Sequence, residues 1–150
     1  MTERFLPKML EQGRGRILNV ASTAAFQPIP NMAAYAASKA YVLHYSEALD
    51  EELRGTGVTV SVLCPGPTET EFGRRAGVEM LPFFEGPLVM TADRVAREGY
   101  EGMLAGKRII TNGRLNQIGA FPNRFSPRRL SCCIAGQLML SVKRRGPSSS

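Results

Sequence analysis

Histidine occurs once in the 150 residues, as His44, and tryptophan does not occur at all. A single imidazole argues against a His-based hydrolytic triad and against a metal site. Cysteine is almost as scarce: Cys64 stands alone, and Cys132 and Cys133 are adjacent. That pattern has neither metal-ligand spacing nor the look of a disulfide framework. No apolar run approaches the ~20 residues of a membrane span. Glu3, Arg4, Lys8 and Glu11 interrupt the start, which excludes the apolar core of a signal peptide there. What remains is enough chain for one domain, 43% hydrophobic and 21% charged, as in ordinary globular proteins. The expected compartment is the reducing cytoplasm.

The formal charge of +6 is unevenly spread, with Arg124, Arg128, Arg129, Lys143, Arg144 and Arg145 all late in the chain. A basic tail of this size is expected to be solvated, with no nucleic-acid partner; contact with a membrane surface is the minor alternative.

Hydrophobic periodicity divides the chain into alternating elements. Met1 to Gln12 reads as a short helix, with Thr2 as N-cap, Phe5, Leu6, Met9 and Leu10 on one apolar side, and Pro7 weakening it. Arg16 to Ala21 (RILNVA) follows a glycine turn and has the character of a buried parallel strand. Phe26 to Pro30 is a loop. A long alanine-rich helix runs from near Asn31 to Arg54, with Val42, Leu43, Ala48, Leu49 and Leu53 inward and Asp50, Glu51 and Glu52 toward water. Gly55 and Gly57 stop it. Val58 to Leu63 (VTVSVL) is a second strand, ending in the turn Cys64-Pro65-Gly66-Pro67. Gly73 to Met90 lacks a period and suits either a lid over a hydrophobic substrate or an ordinary surface loop. Thr91 is placed to cap a helix reaching about Ala105, with Val95, Ala96, Tyr100, Met103 and Leu104 inward. Arg108 to Thr111 is a third short strand. Leu130 to Val142, mostly apolar between arginines, is expected to form a short amphipathic helix closing the core, the alternative being a helix on a membrane surface.

Ser22 closes the first strand, Tyr35 follows thirteen residues later, and Lys39 stands four beyond that. Four residues is about one helical turn, so the phenol and the ammonium share a face. A cation beside a phenol favours its ionised form, and a phenol so placed can exchange a proton with an alcohol or a carbonyl. Ser22, at the C-terminal end of a strand, stands where ligands gather in open α/β sheets. The bare YxxxK spacing also occurs by chance, as a surface tyrosine beside a solvated lysine. Cys64 has no evident base beside it and is expected to be a small buried residue.

The flanking residues give the spacing its weight. GRILNVAS, Ser22, YAASK and CPGPTETEF, in this order and spacing between about Phe5 and Asn112, resemble the short-chain dehydrogenase/reductase family. The resemblance implies an α/β fold, the second half of a doubly wound, Rossmann-like sheet with helices on both faces. It implies Tyr35 as general acid/base, Lys39 as the residue that tunes Tyr35 and holds the nicotinamide ribose, and Ser22 as the group that orients the reacting oxygen. Pro65, Gly66, Pro67, Thr68 and Thr70 match the family's proline-glycine loop, which contacts the nicotinamide end. The implied cofactor is NAD or NADP, the substrate a small secondary alcohol or carbonyl compound, and the assembly a homo-oligomer.

Several family features are missing. No TGxxxGxG occurs, and with it goes the glycine-rich turn that receives a pyrophosphate. Met1 to Gly15 contains no asparagine to match the family's catalytic one; Asn19 lies on the strand and reads as structural. Residues 1–113 are therefore expected to be the C-terminal half of the catalytic domain, and 114–150 a basic extension, partly helical, with a disordered end. The Ile17-Leu18-Val20 strand would otherwise expose an apolar sheet edge. The simplest expectation is a piece of a longer enzyme; the alternative is a non-catalytic module that pairs with a relative through its long helix.

Overall fold

The structure, a computed structural model, describes residues 2–70, 88–113, 116 and 127–143. The possible lid at Gly73 to Met90 and the disordered end therefore fall largely or wholly outside the described residues. Three parallel strands form the central sheet, β1 (Gly15–Val20), β2 (Val58–Cys64) and β5 (Ile109–Thr111), in the order β1-β2-β5. A small second sheet pairs β3 (Thr68–Glu69) with β4 (Met90–Thr91), also in parallel. Helices α1 (Thr2–Glu11), α2 (Ala33–Glu52), α3 (Ala92–Leu104) and α4 (Arg128–Lys143), with a 3₁₀ turn at Thr23–Phe26, complete the described elements.

Strand alternation sends successive side chains to opposite faces. On one face, Val58 and Val60 pack with Leu49 and Leu53 of α2, while Val62 and Cys64 pack with Leu43, Ala21 and Ala25. On the other, Leu63 and Ile110 meet Met90 of β4 and Val95 of α3. The sheet is thus covered on both sides, the α/β layering expected of parallel strands joined by helical crossovers. The register runs from Gly15↔Val58 to Val20↔Leu63, and β5 joins at Val62↔Ile109.

The helices present faces that differ in part from the periodic expectation. Leu6 and Met9 of α1 pack on the core, but Phe5 and Leu10 are exposed, and Thr2 lies inside the helix instead of capping it. Thr91 is the N-cap of α3, yet its side chain makes no capping hydrogen bond. The buried face of α3 is Val95, Gly99 and Gly102; Ala96, Tyr100 and Leu104 point outward. The physical reason is space. A Cβ on Gly99 would stand 2.7 Å from Leu63 Cδ2, and one on Gly102 2.8 Å from Ile110 Cδ1, so the helix can lie this close to the sheet only without those side chains.

Asp50 also departs from the expected solvated role. It accepts the Val60 N–H at 3.0 Å and the Arg108 Nε–H at 2.8 Å, joining α2, β2 and the approach to β5. Glu51 takes a second Arg108 donor at 2.9 Å; the Arg108 hydrogen bond is the leading cause that holds this carboxyl below the usual range. Ala48 is exposed. Ser61, by contrast, buries its hydroxyl with no hydrogen-bond partner among the described residues. An unpaired buried hydroxyl costs ~1–3 kcal/mol, so Ser61→Ala is expected to raise the thermal midpoint by several degrees, and calorimetry checks this.

Candidate active site

The C-terminal ends of β1 and β2 are tied together beyond their ladder. Ala21 N–H donates to Leu63 O at 2.7 Å, and Thr23 N–H to Pro65 O at 2.9 Å. The Ser22 turn is thereby held against the proline-glycine turn. Ser22 itself is extended (φ −170°, ψ 160°) and caps the 3₁₀ turn Thr23–Phe26, its Oγ accepting the Ala24 N–H at 3.1 Å. Its hydroxyl hydrogen is not used by that bond and remains a donor.

Tyr35 and Lys39 occupy the first two turns of α2, both partly buried. Lys39 Nζ donates to Val20 O at 3.2 Å, at the last residue of β1. The same nitrogen lies 5.9 Å from the centroid of the Tyr35 ring, over the ring, within cation–π range. The helix is seated on β1 by a second polar contact: Asn19 Nδ2 donates to Ser46 Oγ at 2.9 Å, whose own hydrogen goes to Val42 O at 2.7 Å. Asn19 thus has the structural role read from its place on the strand.

Cys64 lies at the same end of the sheet, fully buried. Burial first, then the charge of Glu47, pushes its thiol up to about 12, against a backbone hydrogen bond from Ser22 and the charge of Lys39. A thiol so placed is a poor nucleophile.

Pro65, Gly66 and Pro67 form the half-buried turn after β2, and Thr68 Oγ1 donates to Gly66 O at 3.0 Å. Met90 N–H donates to Pro67 O at 3.1 Å, linking this turn to β4. Thr70 lies exposed just past β3. Ser22, Lys39 and the Pro65–Thr68 turn therefore converge around the ends of β1 and β2, with Tyr35 beside Lys39. Sequence reasoning passed over Asn116. Its carboxamide fills the space a Cβ on Gly66 would take, and its Nδ2 donates to Leu88 O at 3.3 Å. No spacing signal marks an isolated asparagine far along the chain.

At the end of β5, Asn112 is fully buried and donates from Nδ2 to Glu98 Oε2 at 2.9 Å. That bond, followed by one from Arg94, holds the Glu98 carboxyl below its ordinary value of 4.5. A depressed folded value means stability that is present above about pH 4.5 and lost as pH falls through the folded value. The thermal midpoint is expected to drop on acidification below about pH 4.5, and Glu98→Gln to flatten that drop. Thermal melts across the acid range check it. Among the described residues no group of three or more His, Cys, Asp or Glu could hold a metal, and no helix is long and apolar enough to cross a membrane.

Parallel strands covered by helices, with polar groups gathered at their C-terminal ends, define a Rossmann-like α/β protein. The sequence pattern of the short chain dehydrogenases matches residues 1–79, and the chain belongs to that family of oxidoreductases. It is 29% identical over 137 residues to human 17-beta-hydroxysteroid dehydrogenase 13, covering 89% of this chain and 44% of that protein. A short chain dehydrogenase from Burkholderia cenocepacia, solved in complex with NADP, superposes with TM-score 0.67 at 28% identity over 80% of this chain and 46% of that one. The 3-ketoacyl-(acyl-carrier-protein) reductase of Brucella melitensis, complexed with NADH, gives TM-score 0.61 at 27% identity over 75% and 50%. The chain spans about half the length of these relatives.

Proposed function

We propose that these residues form the proton-transfer half of an NAD(P)-dependent oxidoreductase site acting on a secondary alcohol or carbonyl compound. The observation that carries this reading is the Lys39 ammonium, fixed by Val20 O and lying over the Tyr35 ring at the mouth of the sheet. The nicotinamide cofactors named for two similar structures support NAD or NADP here.

The residues present fit the nicotinamide end of such a cofactor. Gly66 offers backbone without a side chain, and Lys39 has donors beyond the one given to Val20. Pro65 and Pro67 fix the turn's backbone, and the Thr68 hydroxyl can still accept a hydrogen bond. When bound, the cofactor supplies or takes the hydride. In reduction, Tyr35 gives its phenolic proton to the carbonyl oxygen as that oxygen gains charge, and Lys39 stabilises the phenolate left behind. Ser22 donates its hydroxyl hydrogen to the same oxygen and holds the carbonyl in line. In oxidation Tyr35 takes the proton back. Residues 1–113 would form this half-site and 114–150 an extension to it. Tyr41, exposed and stacked on Tyr45 at 6.0 Å, offers α2 as a surface for a homo-oligomer.

The test is titration of the chain with NADH and NADPH, followed by nicotinamide fluorescence. Enhancement that saturates for either, and that Lys39→Met weakens by about tenfold or more, supports the reading. A response unchanged in Lys39→Met defeats it, and no response favours the non-catalytic module.

A further inference from the structure

A cavity of about 640 Å³ lies between α2, the loop that follows the 3₁₀ turn, and α4. None of Ser22, Tyr35 and Lys39 lines it. We propose that it binds a small neutral molecule with an apolar body and one hydrogen-bonding head, such as a long-chain alcohol, separately from the candidate active site.

Three features carry this. The first is size: pockets that hold small ligands run from about 300 to 1,000 Å³, whereas a packed interior leaves few voids larger than a water. The space exists because α2 turns alanines toward it, Ala33, Ala36, Ala37 and Ala40, where longer side chains would close the gap against α4. Helix α4 passes close to this loop at Gly136, whose Cβ position lies 3.5 Å from Pro30 Cγ, an ordinary van der Waals contact.

The second is the lining. Phe26, Ile29, Leu43 and Ile109 add apolar wall to the alanines. Such a surface gains ~25 cal/mol for each Å² that an apolar ligand removes from water.

The third is the placement of polar groups. Ser131 brings a buried hydroxyl to the α4 side, and the exposed side of the cavity carries His44 and Glu47, paired at 3.8 Å with side-chain exposures of 73% and 27%. Among the described residues that line the cavity there is no lysine or arginine. Against these described residues a carboxylate or phosphate head would face Glu47 with no permanent cation to pair with, which favours a neutral head.

Two neighbouring cysteines provide the readout. Cys132 lines the cavity and is half-buried, while Cys133 is exposed and does not line it. Cys64 is fully buried and should stay unlabelled while the chain is folded. Alkylation of the 150-residue chain with iodoacetamide is followed by mass spectrometry at each site, with and without decan-1-ol. Decanol at about ten times its dissociation constant is expected to slow Cys132 about tenfold and to change Cys133 by less than about twofold. Ala37→Phe, an exposed position on the cavity wall, should abolish the protection with Cys64 still unlabelled. Decanoate should protect only at concentrations about tenfold higher or more. The proposal is overturned if Cys132 reacts unchanged at the solubility limit of decanol, or if both cysteines are slowed alike. It is equally overturned if decanoate matches decanol, or if folded Ala37→Phe retains full protection. No turnover enters the measurement, so its outcome is independent of the catalytic reading.

Discussion

Tyr35→Phe is expected to reduce carbonyl turnover by about 10²–10⁴-fold while leaving the fold and the cofactor affinity almost unchanged. The substitution keeps the ring, so the contact with Lys39 Nζ persists, and Lys39 retains its bond to Val20 O. What is lost is the hydroxyl proposed to deliver the proton. Under the proposed mechanism, the substrate oxygen that gains charge would then have only the Ser22 hydroxyl and the Lys39 charge to stabilise it. A thousandfold loss corresponds to about 4 kcal/mol of transition-state stabilisation, a plausible size for a general acid held in a partly buried site. The assay uses the full polypeptide encoded by the gene, with a ketone and either reduced cofactor. Activity within about tenfold of wild type would remove Tyr35 from the mechanism. A large rise in KM at constant kcat would make it a binding residue instead.

Much of this arrangement was legible in the sequence, for identifiable reasons. Short apolar runs bounded by glycine marked β1 and β2, and both were found within a residue or so of their expected ends. The interval between Tyr35 and Lys39 is a helical turn, so their proximity followed from local geometry alone. Ser22 could be placed at the same end of the sheet because it follows directly on a strand whose continuation leads into the same helix. What escaped depends on contacts distant in sequence. The sheet-facing side of α3 is Gly99 and Gly102, not Tyr100 and Leu104, because Leu63 and Ile110 occupy the volume beneath. A hydrophobicity period cannot express that, since glycine carries almost no hydrophobic signal. The pairing of Thr68 with Met90 joins two-residue strands across a long separation, with no pattern of its own. Asp50 resembled its acidic neighbours until Val60 N–H and Arg108 were seen to converge on it.

Gly57→Ala should cost the fold about 3–5 kcal/mol, among the largest losses expected from a single methyl group in this chain. Gly57 has φ +82°, a conformation in which a Cβ is itself unfavourable by ~1–2 kcal/mol. The added Cβ would also strike the carbonyl oxygen of Gly13, which belongs to a second turn, with Gly13 at φ +61°. The obstacle is backbone, so no rotamer change relieves it. Gly55 provides the control, because its φ of +83° is nearly the same but nothing lies within 4 Å of its Cβ position. Gly55→Ala should therefore cost only ~1–2 kcal/mol. Thermal unfolding separates the two, and equal losses would show that the contact between the turns contributes nothing. The consequence extends to the site. These turns meet where the register opens, with Gly15 N–H donating to Gly57 O at 3.3 Å and Gly15 paired with Val58. The same register, carried along both strands, ends with Thr23 N–H on Pro65 O. A shift of one residue at the turns would send every strand side chain to the opposite face and separate the Ser22 turn from the proline-glycine turn. Gly57→Ala is therefore expected to weaken nicotinamide binding as well as stability, although it touches none of the residues proposed to bind the cofactor.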